Sequence, residues 1–204
     1  MGMEQEIKLR AADAATLDAI LQDDAVCSRR MGEMESVRMN TIYFDTEDHL
    51  LASRKWVLRY RTENDDTVIT LKTPADGNHI RGEWELTGNE LVHGDVVSPH
   101  VYRALFSQGA PQAILNLEGR TLQTVCGVQF LRRRCKLQLG DTVAELALDL
   151  GTLHRGGRTG PLIEVELELI RGDFADVEAF ARELSDRYAL REEPLSKYQQ
   201  TMRM

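Results

Sequence analysis

The seven residues Glu4-Gln5-Glu6-Ile7-Lys8-Leu9-Arg10 decide how the rest of the chain is read. In a β-strand successive side chains point to opposite faces, so Glu4, Glu6, Lys8 and Arg10 share one face while Ile7 and Leu9 share the other. One face is therefore wholly charged, and it carries both signs. Solvation explains such a face on a single strand. A face that recurs with the same residue types needs another cause.

It does recur. Residues 55–61 (KWVLRYR) set Arg59 and Arg61 opposite Leu58 and Tyr60, and residues 67–72 (TVITLK) return after the turn signal Asn64-Asp65-Asp66 with Thr70 and Lys72 opposite Ile69 and Leu71. Residues 81–86 (RGEWEL) align Arg81, Glu83 and Glu85 against Trp84 and Leu86. Residues 129–138 (QFLRRRCKLQ) place Arg132, Arg134 and Lys136 on one face, although Arg133 breaks the alternation and leaves the register open. After Gly140-Asp141, residues 142–150 put Glu145 and Asp149 opposite Leu146, Leu148 and Leu150. The most regular stretch is 162–170 (LIEVELELI), where Glu164, Glu166 and Glu168 alternate with Ile163, Val165, Leu167 and Leu169. Residues 37–45 (VRMNTIYFD) read as a further strand, 46–53 as a turn or short helix, and 23–37 as a loop.

Amphipathic helices fall between these strands. Residues 13–22 carry Ala14, Leu17, Ile20 and Leu21 at helical spacing, and Ser98-Pro99 starts a second helix with Val101, Leu105 and Phe106 on its apolar stripe. Residues 111–117 read as a short helix, and Asp173 caps a longer one that buries Val177, Phe180, Ala181 and Leu184. Such helices need an apolar surface to cover. The apolar strand faces therefore point outward beneath them, with Trp56 and Trp84 among that core, and the charged faces point inward. The expected fold is α+β: one domain over residues 1–204, built as an eight-stranded antiparallel β-barrel whose charged lumen forms a tunnel, with helices packed outside.

Composition narrows the function. The chain has 204 residues, 42% hydrophobic and 28% charged, with a formal net charge of -8. That acidity argues against a generic nucleic-acid binder and makes any anion site local. Cys27, Cys126 and Cys135 show no metal-ligand spacing and suit free thiols, and the five histidines show none either. No apolar run approaches the ~20 residues of a membrane-spanning helix, and the amino terminus is acidic where a signal peptide is basic. A cytoplasmic location and no membrane partner are expected. Arg155-Gly156-Gly157-Arg158 lacks the strand-to-helix context of a phosphate-binding glycine loop.

A lumen of mixed charge is costly to confine, because each desolvated ion loses hydration. Mutual pairing alone would make it a structural ion-pair barrel. A ligand that wants both signs explains it better: carboxylates hold a hard cation such as Mg²⁺ or Mn²⁺, and arginines and lysines grip phosphoryl oxygens.

The Glu-x-Glu-x-Lys pattern of Glu4, Glu6 and Lys8 is followed in order by Tyr43-Phe44-Asp45-Thr46, Leu58-Arg59-Tyr60-Arg61, Thr70-Leu71-Lys72, the Arg81/Glu83/Glu85 strand, Asp149 in Leu-Asp-Leu-Gly, Glu164/Glu166/Glu168 and Ser196-Lys197-Tyr198. From Glu4 to about Tyr198 the chain thus resembles the CYTH domain of the triphosphate tunnel metalloenzymes. The resemblance implies a tunnel that holds a small-molecule triphosphate with one or two Mg²⁺ or Mn²⁺ ions. It implies a metal-binding group of Glu4, Glu6, Glu85, Asp149, Glu164 and Glu166, with Glu83 and Glu168 nearby. It implies a phosphate-binding group of Lys8, Arg59, Arg61, Lys72, Arg81, Arg134 and Lys197, with Arg132 as the alternative to Arg134. Among these, Glu4, Glu6, Lys8, Glu85 and Asp149 are the expected catalytic residues.

The activity that this layout most resembles is hydrolysis of inorganic triphosphate, with nucleoside triphosphates as further substrates. The alternatives are a class IV type adenylate cyclase, making cyclic AMP and pyrophosphate from ATP, and a non-catalytic polyphosphate- or nucleotide-binding module. The cyclase branch of the family carries a His-Phe pair ahead of its Glu-x-Glu-x-Lys motif, where this sequence has Met1-Gly2-Met3. Bacterial inorganic triphosphatases often carry a following helical CHAD domain, which these residues do not include. Nucleic acid is not an expected partner, and monomer and homodimer are both open.

Overall fold

Alternating sequence becomes one long antiparallel sheet. The computed structural model describes residues 5–74, 82–88, 91–93 and 96–204. Glu4 and Arg81, both expected in the tunnel, lie outside the described residues. In chain order the elements are β1 (Glu6–Arg10), α1 (Ala14–Gln22), α2 (Asp24–Cys27), β2 (Arg30–Thr46), α3 (Leu50–Ser53), β3 (Val57–Glu63), β4 (Asp66–Thr73), β5 (Gly82–Thr87), β6 (Val92–His93), β7 (Val96–Val97) and α4 (Pro99–Ser107). A 3₁₀ turn (Gln112–Leu117) follows, then β8 (Leu122–Leu139), β9 (Thr142–Arg155), β10 (Arg158–Arg171), α5 (Phe174–Tyr188), β11 (Arg191–Glu192) and α6 (Lys197–Met202). No described helix is long and apolar enough to cross a membrane.

Among the described residues the main sheet has nine strands in the order β11-β1-β10-β9-β8-β2-β3-β4-β5, all neighbours antiparallel. This α+β architecture is the expected one, with one difference. Among the described residues no ladder joins β5 to β1, so the eight-stranded ring stays open. The free edge of β1 is taken instead by the returning chain: β11 pairs with Leu9 and Arg10, and the Glu193 amide donates to the Lys8 carbonyl at 2.9 Å. That pairing satisfies an otherwise exposed edge. The sheet still curls enough for Glu6 and Lys8 of β1 to line the same cavity as Glu83 and Glu85 of β5.

The helices cover the outer face as patterning predicted. Leu17 and Ile20 of α1 and Val177, Phe180 and Leu184 of α5 pack with Leu146, Leu148, Val165 and Leu167 in one apolar cluster. Val101, Tyr102 and Leu105 of α4 pack with Leu58, Ile69 and Leu71 in a second. Asp13 and Asp173 cap their helices by accepting from the Thr16 and Ala175 amides.

Two expectations change and one holds. Residues 23–37 are not a loop: Asp23 caps α2, and β2 already begins at Arg30, paired to β8 with a register shift between Met31 and Glu35. Arg155-Gly156-Gly157-Arg158 is a tight β9–β10 hairpin with both glycines at positive φ (53° and 80°), so turn geometry explains it. The inner face, expected to be charged throughout, carries a third apolar cluster. Val37, Met39, Tyr43, Cys126, Val128, Phe130, Leu153 and Leu162 pack there against Tyr198, Met202 and Met204. Helix α6 therefore lies inside the curl and covers an apolar part of the lumen, while charged residues line the rest.

Candidate active site

The curl encloses a cavity of about 830 Å³. Its wall includes Glu6, Lys8, Arg59, Arg61, Lys72, Glu83, Glu85, Arg132, Arg134, Glu166, Glu168 and Lys197. Period-2 alternation delivers these side chains from six strands to one space, and the start of α6 adds Lys197. Asp149 and Glu164 sit behind this wall, at 0% and 1% exposure.

Strand register builds the acidic centre. Arg132, Asp149 and Glu164 stand opposite one another on β8, β9 and β10, and Glu166 lies one inward position further along β10, opposite Lys8. Ligand oxygens of Asp149, Glu164 and Glu166 lie within 4.8 Å of one another. Two cations enter this group. Arg132 Nε and Nη2 donate to Asp149 Oδ1 and Oδ2 at 2.8 and 2.7 Å, and Nη2 also reaches Glu166. Lys197 Nζ lies 2.9 Å from Asp149 Oδ2, 2.7 Å from Glu164 Oε2 and 2.7 Å from Glu166 Oε1. Phe130 sits beneath both cations, its ring centre 5.7 Å from the Arg132 guanidinium and 5.4 Å from Nζ.

The ionisation of the group follows. Burial would lower Lys197 and Arg132, yet the adjacent carboxylates outweigh it and hold both above their ordinary values. Burial would raise Glu166, but Lys197 and Arg132 hold it at about 2. Glu164 goes the other way, because its burial outweighs the pull of Lys197 and Gln200. Its Oε2 lies at ion-pair distance from Nζ but outside hydrogen-bond geometry, leaving a buried oxygen without a hydrogen bond. All three carboxylates offer the hard oxygen donors that Mg²⁺ and Mn²⁺ take, converging from adjacent strands. The donor set fits a divalent cation, held by Asp149, Glu164 and Glu166.

The opposite wall is basic. Arg59 lies 3.6 Å from Glu83 and 3.4 Å from Glu85, Lys72 Nζ 2.8 Å from Glu83, and Arg61 2.5 Å from Glu63. Glu83 and Glu85, expected near the metal, thus pair with the basic wall and stand apart from the acidic centre. Arg59 Nε and Arg61 Nε are buried without a hydrogen-bond partner among the described residues. Burial and the adjacent Arg59 guanidinium push Arg61 below its ordinary value, although Glu63 and Glu85 pull the other way. Glu6 lies 3.6 Å from Lys8 and is the register partner of Glu168. Arg132 and Arg134 share the inward face: Arg132 enters the acidic centre, and Arg134 pairs with Glu35 at 3.0 Å. Arg133 points outward to Asp18.

Residue patterning missed several lining groups. Trp56, expected only beneath helices, packs on the second apolar cluster and also lines the cavity. Tyr43 and Tyr198 line it too, their ring centroids 5.1 Å apart. Glu63 could have been found, since it continues the Arg59–Arg61 alternation by one step. Asp45 is explained without a ligand: its carboxylate accepts from the Thr46, Leu51 and Ala52 amides at 2.8, 2.8 and 3.0 Å and so holds α3 in place.

Comparison with known proteins gives a family match and a set of similar folds. The CYTH domain family matches residues 2–202. An inorganic triphosphatase of Haemophilus influenzae is 28% identical over 185 residues, which are 89% of this chain and 50% of that protein. The chain thus spans half the length of this curated relative. A candidate adenylyl cyclase from Hippeastrum with a dominant triphosphatase activity superposes with a TM-score of 0.60 at 18% identity, over 96% of this chain and 93% of that one. A protein from Pyrococcus horikoshii gives 0.56 at 16% identity, over 98% and 99% of the two chains. At these identities the likeness is one of fold.

Proposed function

Because the chain belongs to the CYTH domain family, we propose that it is a divalent-metal-dependent triphosphatase that hydrolyses inorganic triphosphate. The observation that carries the reading is the division around the cavity: three buried carboxylates converge on one side, Glu166 lining it with Asp149 and Glu164 behind, and Arg59, Arg61 and Lys72 line the other. A linear triphosphate with a bound metal presents matching charges to both. The relationship to an inorganic triphosphatase at 28% identity supports the same substrate.

In this reading Asp149, Glu164 and Glu166 hold the metal, with Glu6 and Glu168 at the edge of the group. A Mg²⁺ or Mn²⁺ ion held there would supply charge neutralisation and lower the pKa of a bound water. The chain's own residues do the rest. Arg59, Arg61 and Lys72 bind and orient phosphoryl oxygens from β3 and β4, and Lys8, Arg132, Arg134 and Lys197 do so from the other walls. Tyr198 and Met202 of α6 pack in one apolar cluster with Phe130 and Tyr43 and make that part of the cavity wall apolar.

Parallel assays with inorganic triphosphate, ATP and thiamine triphosphate test this, quantifying phosphate, pyrophosphate and cyclic AMP with Mg²⁺ or Mn²⁺. Phosphate release fastest from inorganic triphosphate supports the reading. Cyclic AMP with pyrophosphate from ATP replaces it with a cyclase, and binding without turnover replaces it with a sensor.

A further inference from the structure

The acidic centre already contains a cation of the chain's own. Among the described residues, the three carboxylates that could hold a metal are the three that surround Lys197 Nζ at 2.7 to 2.9 Å. Resting on the triphosphatase reading, we propose that Lys197 Nζ and a divalent cation compete for these carboxylates. The metal enters as Lys197 is drawn off to a phosphoryl oxygen, so that metal and triphosphate load cooperatively.

Charge favours the exchange. Three carboxylates against Arg132 and Lys197 leave one negative charge uncompensated in a buried site. A divalent ion in place of the ammonium, with Arg132 retained, brings the sum to zero. The deficit has a location: Glu164 Oε2 is buried and has no hydrogen bond among the described residues. Geometry permits the swap, since Mg²⁺ takes oxygens at about 2.0–2.1 Å and the carboxylates need close only about 0.7 Å on a smaller ion.

Lys197 can leave without unfolding its helix. It is the first residue of α6, whose start is held by the Ser196–Gln199 capping box, and its long side chain pivots from that fixed backbone. It lines the same cavity as Arg59 and Lys72, where a bound triphosphate places its oxygens. An ammonium that gives up three carboxylates for a phosphoryl oxygen stays paired. Reciprocity then requires each ligand to raise the affinity of the other.

Equilibrium Mn²⁺ binding without any polyphosphate tests this, read from the free-ion electron paramagnetic resonance signal for wild type, Lys197→Met and Lys8→Met. Lys197→Met is expected to bind about tenfold tighter than wild type, and Lys8→Met, which removes a nearby cation not seated among the three carboxylates, to gain much less. Equal gains from both variants, or none from Lys197→Met, overturn the competition. The wild-type chain supplies a second readout that needs no variant: the ¹⁵N signal of the carboxylate-held Lys197 ammonium should shift or vanish on Mg²⁺ addition, and an unchanged signal at site saturation overturns the proposal. If neither wild type nor Lys197→Met binds Mn²⁺, the metal reading falls with the inference; if the wild type binds and the variant binds no better, the inference alone falls.

Discussion

Arg132 meets Asp149 fork to fork across the β8–β9 ladder, Nε and Nη2 donating to the two carboxylate oxygens at 2.8 and 2.7 Å. Asp149 is wholly buried. Removing the carboxylate takes away the two-point partner of Arg132, which keeps Glu166, so Asp149→Ala is expected to destabilise the fold by roughly 1–3 kcal/mol. Urea denaturation checks this. A loss under about 1 kcal/mol would mean that the pair is solvated in solution.

Register separates two adjacent arginines. Arg132→Ala is expected to lower turnover of inorganic triphosphate on the order of a hundredfold, whereas Arg133→Ala, which loses only the outward contact to Asp18, should stay close to wild type. Steady-state kinetics on both variants decides it. Equal losses would place Arg133 in the tunnel.

Arg59→Ala and Arg61→Ala remove donors from the basic wall without touching the acidic centre. Each is expected to raise KM for triphosphate roughly tenfold through lost charge-assisted hydrogen bonds. Metal affinity in the absence of substrate should hold. If the metal affinity of these variants collapsed, the two walls would not be separate sites.

Asp45 lies in Tyr43-Phe44-Asp45-Thr46, one of the stretches that carry the resemblance, yet its three accepted hydrogen bonds all come from backbone amides around the start of α3. Asp45→Ala should therefore cost roughly 1–3 kcal/mol of stability and leave the metal concentration needed for half-maximal turnover unchanged. Thermal denaturation and a metal titration measure the two effects. A large shift in metal requirement would give Asp45 a role in the site.

Asp23 is the clearest acid-sensitive support. Burial would raise its carboxyl, but hydrogen bonds from Arg187 and Tyr188 hold it at about 2 against an ordinary 3.8. A depressed acid stabilises the fold above its unfolded value, and that contribution is lost as pH falls from about 4 through about 2. Wild type should lose melting temperature across that window more steeply than Asp23→Asn. Parallel slopes would remove Asp23 from the acid response.

Residue alternation made most of the site legible. Glu164, Glu166 and Glu168 face inward as the period-2 pattern predicts, and so do Arg59, Arg61 and Lys72. The start of β2 was hidden, because Met31-Gly32-Glu33 shows no alternation and Gly32 has φ of 76°; its strand state is imposed by pairing with β8. Tyr43 and Phe130 were hidden for a different reason. Apolar residues on an inward face resemble ordinary core until α6 is known to lie inside the curl. The separation of Glu83 and Glu85 from Asp149 depends on which strands neighbour each other, and alternation within a strand carries no such information.

The most direct measurement is phosphate release from inorganic triphosphate by the wild-type chain, titrated with Mg²⁺ or Mn²⁺ and repeated after chelation, with Glu164→Gln alongside. The account predicts turnover that rises with metal, disappears on chelation and falls sharply in Glu164→Gln. Metal-independent turnover, or full activity in Glu164→Gln, would contradict it.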